Sequence, residues 1–142
     1  MADSTAAALP GHVRGFLAAP RVAALATAGA DGAPHQAVVW FRLEPDDTIL
    51  VNSRQPRRWP ADLRRDARVS LAVVDEVDGF RWVGLSGIVV HVEDDVERSR
   101  DDIVALAERY DSADPETIAT FRRQPRISFR IRVTCVHDHL GT

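Results

Sequence analysis

Six arginines fall between positions 54 and 68 (Arg54, Arg57, Arg58, Arg64, Arg65 and Arg68), against two acids, Asp62 and Asp66. The segment carries a formal +4 in a chain of net charge −3, so the remaining residues sum to −7. A basic island in an acidic protein has a local cause. The chemistry on offer is anion binding, because guanidinium groups make planar, bidentate contacts with phosphates and carboxylates. A strand-like run, Thr48 to Ser53, precedes the cluster, and a helix-like run follows it. A strand end, a polar turn and a helix start together point backbone N–H groups at an anion. The competing reading is a solvated helix face whose arginines pair with Asp62, Asp66 and other acids. Nucleic acid is disfavoured by the pI of about 5.9 and by the lack of suitably spaced aromatics around most of these arginines.

Other residue types narrow the chemistry by what they lack. All 18 basic residues are arginine. A Schiff-base lysine, a phosphate-loop lysine and a lysine general base are thereby excluded. A GC-rich coding sequence accounts for the arginine bias but not for its clustering. Cys135 stands alone, so no intrachain disulfide forms and a cysteine-based zinc site is disfavoured. It reads as an inert, buried or half-buried thiol. His137 and His139 form an H-x-H pair without a third ligand and read as a solvated tail, so no metal site is assigned. His35 reads as a surface histidine at a strand start. No catalytic triad is visible, and no catalytic residue is assigned.

These residues need elements to hold them. At 142 residues the chain fits one domain, 1–142, with enough length for a hydrophobic core. It divides into an N-terminal helical segment, 1–20, and a barrel with inserted helices, 21–137. Ala6 to Ala19 reads as a short helix stopped by Pro20. Arg21–Ala28, His35–Leu43 and Thr48–Ser53 read as three strands joined by turns, an antiparallel meander. Trp59–Asp66 reads as a helix with Pro60 in its first turn, and Arg68–Val74 as a fourth strand. Phe80–Val92 reads as a fifth, bent or bulged at Gly84 and Gly87. Two helices follow, opened by Asp94 or Asp95 and by Asp114. Ile127 to Val136 closes the chain as an alternating strand. The expected architecture is mainly β with peripheral helices: six antiparallel strands in a split β-barrel. No apolar run reaches membrane-spanning length. Met1 to Pro10 lacks the pattern of a secretory signal, so the expected compartment is the cytoplasm.

Five features carry a family resemblance: the strings RVAALATAGADGAPHQAVVWF, LVNSRQPRRWPADLRRDARVSLAVVD and VDGFRWVGLSGIVVHVEDD, the helix ending ERY, and RISFRIRV. Together they span about Arg21 to Val136. The chain resembles the pyridoxamine 5'-phosphate oxidase-like split barrels of the FMN-binding type, in particular the actinobacterial coenzyme F420-dependent reductase branch. The resemblance implies a homodimer with the cofactor in a groove at the subunit interface. It implies a ring-lining strand over His35, Gln36, Ala37, Val38, Val39 and Trp40. It places phosphate at Asn52, Ser53, Arg54 and Arg57, and an aromatic near the cofactor at Trp82. The family has a lysine where this chain has Trp59, and Arg58 supplies a cation from the neighbouring position. Trp59 is expected to stack on the ring or cover the pocket mouth.

The implied cofactor is F420, with FMN as the alternative, and the implied activity is hydride transfer to an unsaturated small molecule. Arg64 is expected to meet the polyglutamate tail of F420. Two other readings stay open. One is a non-catalytic carrier of a flavin, F420 or haem. The other is an FMN-dependent pyridoxamine-phosphate oxidase, which the short stretch after the last strand disfavours.

Overall fold

A computed structural model describes residues 5–141. The expected domain ends, 1–4 and 142, lie outside the described residues. Seven strands form one antiparallel sheet that curls into a half-barrel. They are β1 (Ala23–Ala28), β2 (Pro34–Val39), β3 (Arg42–Leu43), β4 (Thr48–Arg54), β5 (Arg68–Val74), β6 (Trp82–Glu93) and β7 (Arg126–His139). Four helices surround the sheet: α1 (Gly11–Ala18), α2 (Arg58–Arg65), α3 (Val96–Arg109) and α4 (Pro115–Arg122). The strand order is β2-β1-β5-β6-β7-β4-β3.

The expected meander is only half present. Hairpins β1–β2 and β3–β4 form as read, but β2 and β3 lie at opposite edges of the sheet. The run His35–Leu43 looks like one strand because Ala37–Phe41 is unbroken and apolar, with no turn residue inside it. It breaks at Trp40–Phe41, which raises the strand count from six to seven. The cause is tertiary. The end of α3 captures the two residues: Trp40 stacks on Tyr110 at 5.1 Å. The Phe41 amide donates to the Tyr110 hydroxyl at 3.1 Å, and its carbonyl accepts from Arg109 Nε at 2.9 Å. With its side chain fully buried and its backbone paired outside the sheet, Phe41 has no ladder left to join. The same Arg109 guanidinium donates to the carbonyls of Leu17, Ala18 and Ala19. It thus satisfies the C-terminal end of α1, where orphan carbonyls otherwise face water.

Local signals account for most other boundaries. Helix α1 starts at Gly11 rather than Ala6, because Pro10 precedes it in an extended conformation. Asp95 caps α3 by accepting from the Arg98 amide, and Asp114 caps α4 by accepting from Thr117. The β6–β7 ladder shifts register between Ser86 and Gly87, where the sequence places a bulge. Ile127, Phe129, Ile131 and Val133 of β7 are all buried, with Leu25, Leu71, Val83 and Leu85 from the strands beyond. Helix α3 covers the other side of β4 and β7, burying Asn52 and Ser128. Strand β7 runs past Val136 to His139, so His137 and His139 lie on a strand rather than in a tail; the His139 ring stacks on Trp82 at 4.2 Å. Cys135 is exposed rather than buried: the extra residue Thr134 at the register shift turns it out of the alternation that buries Ile131 and Val133.

Candidate ligand-binding site

One pocket gathers the ends of several elements. Its volume is about 250 Å3, and its lining draws on two kinds of residue. The first is apolar: Val22, Val38, Val39 and Trp40 beside the end of β2, Ile103 and Leu106 on α3, and Phe121 on α4. The second is polar and basic: Asn52, Ser53 and Arg54 at the end of β4, Arg57 in the turn, and Arg126 at the start of β7. Strand β4 pairs with β7 in register Asn52 to Ser128 and Arg54 to Arg126. That register sets Arg54 and Arg126 side by side at one end of the sheet.

Eight of the eleven residues singled out from the sequence line this pocket: Val38, Val39, Trp40, Asn52, Ser53, Arg54, Arg57 and Trp59. Arg58 and Gln36 line a shallow neighbouring groove that shares Arg57 and Trp59 with it. Trp82 is elsewhere within the chain, in a groove across the sheet with Gln36, Gly84 and His137. It sits on the sheet's outer face, so the expected ring contact is not made within one subunit. Trp59 also differs from expectation. It is 7% exposed and packs on Phe129 at 5.7 Å, in the core rather than on an exposed turn. Helix α2 turns Trp59 inward because Trp59, Asp62 and Leu63 share its buried face. Trp40 lines the pocket with one face already stacked on Tyr110, and Phe121 meets it edge-on at 6.5 Å.

The arginine cluster divides into two groups. Arg64 pairs with Asp94, Arg65 with Asp62 at 2.9 Å, and Arg68 with Asp66 at 2.6 Å. For these three the solvated, paired-face reading holds, and Arg64 is engaged with Asp94 rather than free for a ligand tail. Arg54, Arg57 and Arg58 form no ion pair among the described residues. Arg57 precedes α2, whose N-terminus carries no side-chain cap, so its first N–H groups have neither an intrahelical nor a side-chain partner. Unpaired cations beside orphan N–H groups form an electropositive end to the pocket.

Two features escaped sequence reasoning. One is Arg126, 7% exposed, whose partner Asn52 lies 74 residues away in the chain. The other is a buried carboxylate beneath the turn. Asp62 is 3% exposed and accepts from Thr27 Oγ1 at 2.7 Å, His35 Nδ1 at 2.8 Å and Arg65 at 2.9 Å. Burial alone would raise its pKa, but the bonds from His35, Thr27 and Arg65 outweigh burial and hold it at about 2. His35 is thus half-buried and tied to α2, which braces the turn carrying Arg57 and Arg58.

A carboxyl depressed in the folded state stabilises the fold above its ordinary value of 3.8 and loses that contribution as the pH falls towards about 2. Asp62→Asn is expected to remove this segment of the acid-unfolding curve. It should also cost about 2 kcal/mol at neutral pH by leaving a buried network incomplete. Urea unfolding at pH 7 and pH 3 checks both effects. Identical wild-type and variant slopes between them would dismiss the role given to Asp62.

A curled antiparallel sheet with four peripheral helices, its third and last long strands side by side at the pocket, is the pyridoxamine 5'-phosphate oxidase-like split barrel. The chain belongs to the pyridoxamine 5'-phosphate oxidase family, whose model matches residues 9–139. It is similar to the F420H(2)-dependent biliverdin reductase of Mycobacterium tuberculosis (strain CDC 1551 / Oshkosh). The two are 33% identical over 103 residues, covering 70% of this chain and 71% of that protein. Among solved structures, an F420 reductase superposes with a TM-score of 0.77 at 21% identity, covering 91% of this chain and 98% of that one. HutZ, the heme storage protein from Vibrio cholerae, superposes with a TM-score of 0.70 at 20% identity, covering 93% and 95%. At these identities the two structures establish the shared fold.

Proposed function

We propose that the protein is an F420-dependent oxidoreductase that passes a hydride to an unsaturated small molecule and works as a homodimer. The observation that carries this reading is the pocket's lining, aliphatic and aromatic on one part and cationic without carboxylate partners on the other. A planar heterocycle on a phosphate-bearing tail matches both parts. The similarity to an F420H(2)-dependent reductase supports the deazaflavin over a flavin. Ser53, Arg54, Arg57 and Arg58 would hold the phosphate. Val38, Val39 and Trp40 would wall the ring, with Trp40 fixed in place by Tyr110. Strand β2 is an edge strand, and its outward amides are open to the polar edge of a ring. Reduced F420, when bound, would supply the hydride and be left oxidised; the chain supplies position, a dry wall and countercharge.

Two further observations support the dimer. A volume of about 250 Å3 is below the roughly 300–1,000 Å3 of sites that enclose a cofactor, so one chain forms only part of the site. Among the described residues, nothing covers the sheet's outer face. Its cross-strand rows read Val38–Ala24–Ala72–Gly84–His137 and Gln36–Ala26–Ser70–Ser86–Cys135. The centre is small and flat, and its apolar border is open: Val22 is 52% exposed, Val38 74% and Val74 45%. A second copy on this face would bury that border and close the pocket along Val22 and Val38, which belong to both surfaces.

Fluorescence titration with F420 and FMN, alongside light scattering, tests the proposal. F420 is expected to bind with Kd below ~100 μM, about 5.5 kcal/mol of binding free energy, to a particle of twice the chain mass. Binding without turnover across enones, quinones and tetrapyrroles would assign a carrier role instead. Failure of both cofactors to bind would end the enzyme reading.

A further inference from the structure

Arg126 is a buried cation without a carboxylate partner. It donates from Nε at 2.9 Å and Nη2 at 2.7 Å to the same oxygen, Asn52 Oδ1, and from Nη1 to Gln124 Oε1 at 2.8 Å. Both acceptors are neutral amides. The Phe121 ring lies 5.2 Å from the guanidinium carbon. Buried arginines are ordinarily paired with an acid, because an uncompensated charge is costly away from water. Here the neighbouring charges have the same sign. Burial, then Arg57 and Arg54, lower the Arg126 pKa to about 10.

The support behind Arg126 is a chain of neutral groups. Asn52 Nδ2 donates to the Ser99 carbonyl and to Ser128 Oγ, both at 2.8 Å. The Ser128 hydroxyl donates to Asp102 at 2.7 Å. The carboxylate therefore lies two neutral side chains away from the guanidinium. It orients the network without cancelling the charge. Three of the five guanidinium N–H groups are used in these bonds, which leaves two, and Arg126 lines the pocket beside Ser53, Arg54 and Arg57.

We propose that Arg126 is an anion-binding residue of this pocket, a pre-oriented buried guanidinium that completes, with Arg54 and Arg57, a three-cation subsite for a polyanionic, phosphate-bearing tail. Three uncompensated cations call for a group with at least two negative charges. The inference rests on the pocket being the ligand site, as proposed above, but not on deazaflavin chemistry. Arg54 and Arg57 are exposed and must be ordered by the ligand, and salt screens them. Arg126 is already held in place and shielded, so its contribution is larger and less sensitive to salt.

The test is calorimetric titration of the full chain with inorganic pyrophosphate at low and high sodium chloride. Arg126→Met is expected to weaken binding by about tenfold or more at both salt levels. Arg54→Met should weaken it less, and its deficit should shrink at high salt. Arg126→Lys should recover only part, since an ammonium cannot engage Asn52 and an anion in one plane. Thermal unfolding monitors the fold. If Arg126→Met does not fold, Gln124→Glu reads the same charge by neutralising it from a half-buried position. Equal pyrophosphate affinity in wild type, Arg126→Met and Gln124→Glu overturns the inference, as does a wild type that ignores pyrophosphate. Arg126-dependent pyrophosphate binding without F420 binding would keep this subsite and reject the F420 reading. F420 binding indifferent to Arg126 would do the reverse.

Discussion

Replacing Arg54 and Arg57 together by methionine is expected to weaken F420 binding roughly 100-fold while leaving the fold intact. Both side chains are exposed and bonded to nothing else among the described residues, so their removal breaks no internal contact. Each charge-assisted bond to a phosphate contributes about 1.5 kcal/mol at the lower, solvent-exposed end of its range. Two such bonds give about 3 kcal/mol, or roughly two orders of magnitude. Arg64→Met is the matched control. It removes the same charge from the same segment, but Arg64 is engaged with Asp94. Its effect on affinity should be less than about threefold. If all three arginines weaken binding equally, the segment acts as a diffuse field and the pocket assignment is wrong. If none does, the ligand's charge lies elsewhere.

The second large effect concerns Gly87, at the register shift where β7 carries an extra residue, Thr134. A Cβ at Gly87 would stand 2.4 Å from the Arg132 carbonyl oxygen and 2.8 Å from Ile131 Cγ2. The first obstacle is backbone in the partner strand, which cannot rotate away. Gly87→Ala is therefore expected to lose about 3 kcal/mol or to shift the β6–β7 register, since overpacking a tight ladder has no local remedy. Gly15→Ala gives the contrast. Gly15 is inside α1 with nothing within 4 Å of a new Cβ, so alanine should stabilise by about 0.5–1 kcal/mol through helix propensity. Urea midpoints of the two variants decide the matter. A near-neutral Gly87→Ala would mean that the strand pair tolerates a wider spacing than the ladder shows.

The two expectations meet at β7. Gly87 lets β6 follow the curl of β7, and β7 carries Arg126 to the end of β4. The pocket exists because three segments distant in sequence, around positions 40, 54 and 126, converge at one end of the curled sheet. A register error along β6–β7 would move Arg126 away from Asn52. Gly87→Ala should thus lower anion affinity as well as stability.

Much of the pocket was legible from local cues. The Arg54–Arg57 turn stood out because its charge opposes that of the whole chain. The strand end before it and the helix after it followed from β-branched residues, a proline in the first helical turn and alternating burial. Val38, Val39 and Trp40 were placed by resemblance, and the pocket does contain them. Where the reading missed, a partner far along the chain was responsible. Trp59 appeared exposed because arginines flank it, yet α2 rotates it onto Phe129. Arg64 appeared available because Asp94 is 30 residues away. Trp82 stands apart from Trp40 within one chain, and no local pattern says which face of a coiled sheet meets which cavity.

By itself, the sequence determined the period of each strand, the caps of α3 and α4, the bulge at Gly87 and the basic turn, since all of these depend on residues within a few positions of each other. Only the tertiary structure decided that β2 and β3 part company at Phe41, that half the arginines of the basic segment are spent on ion pairs, and that Arg126 stands buried without an acid beside it. Those outcomes depend on which groups a fold brings within hydrogen-bonding distance. A bond of about 3 Å between residues 52 and 126 leaves no trace in the spacing of either.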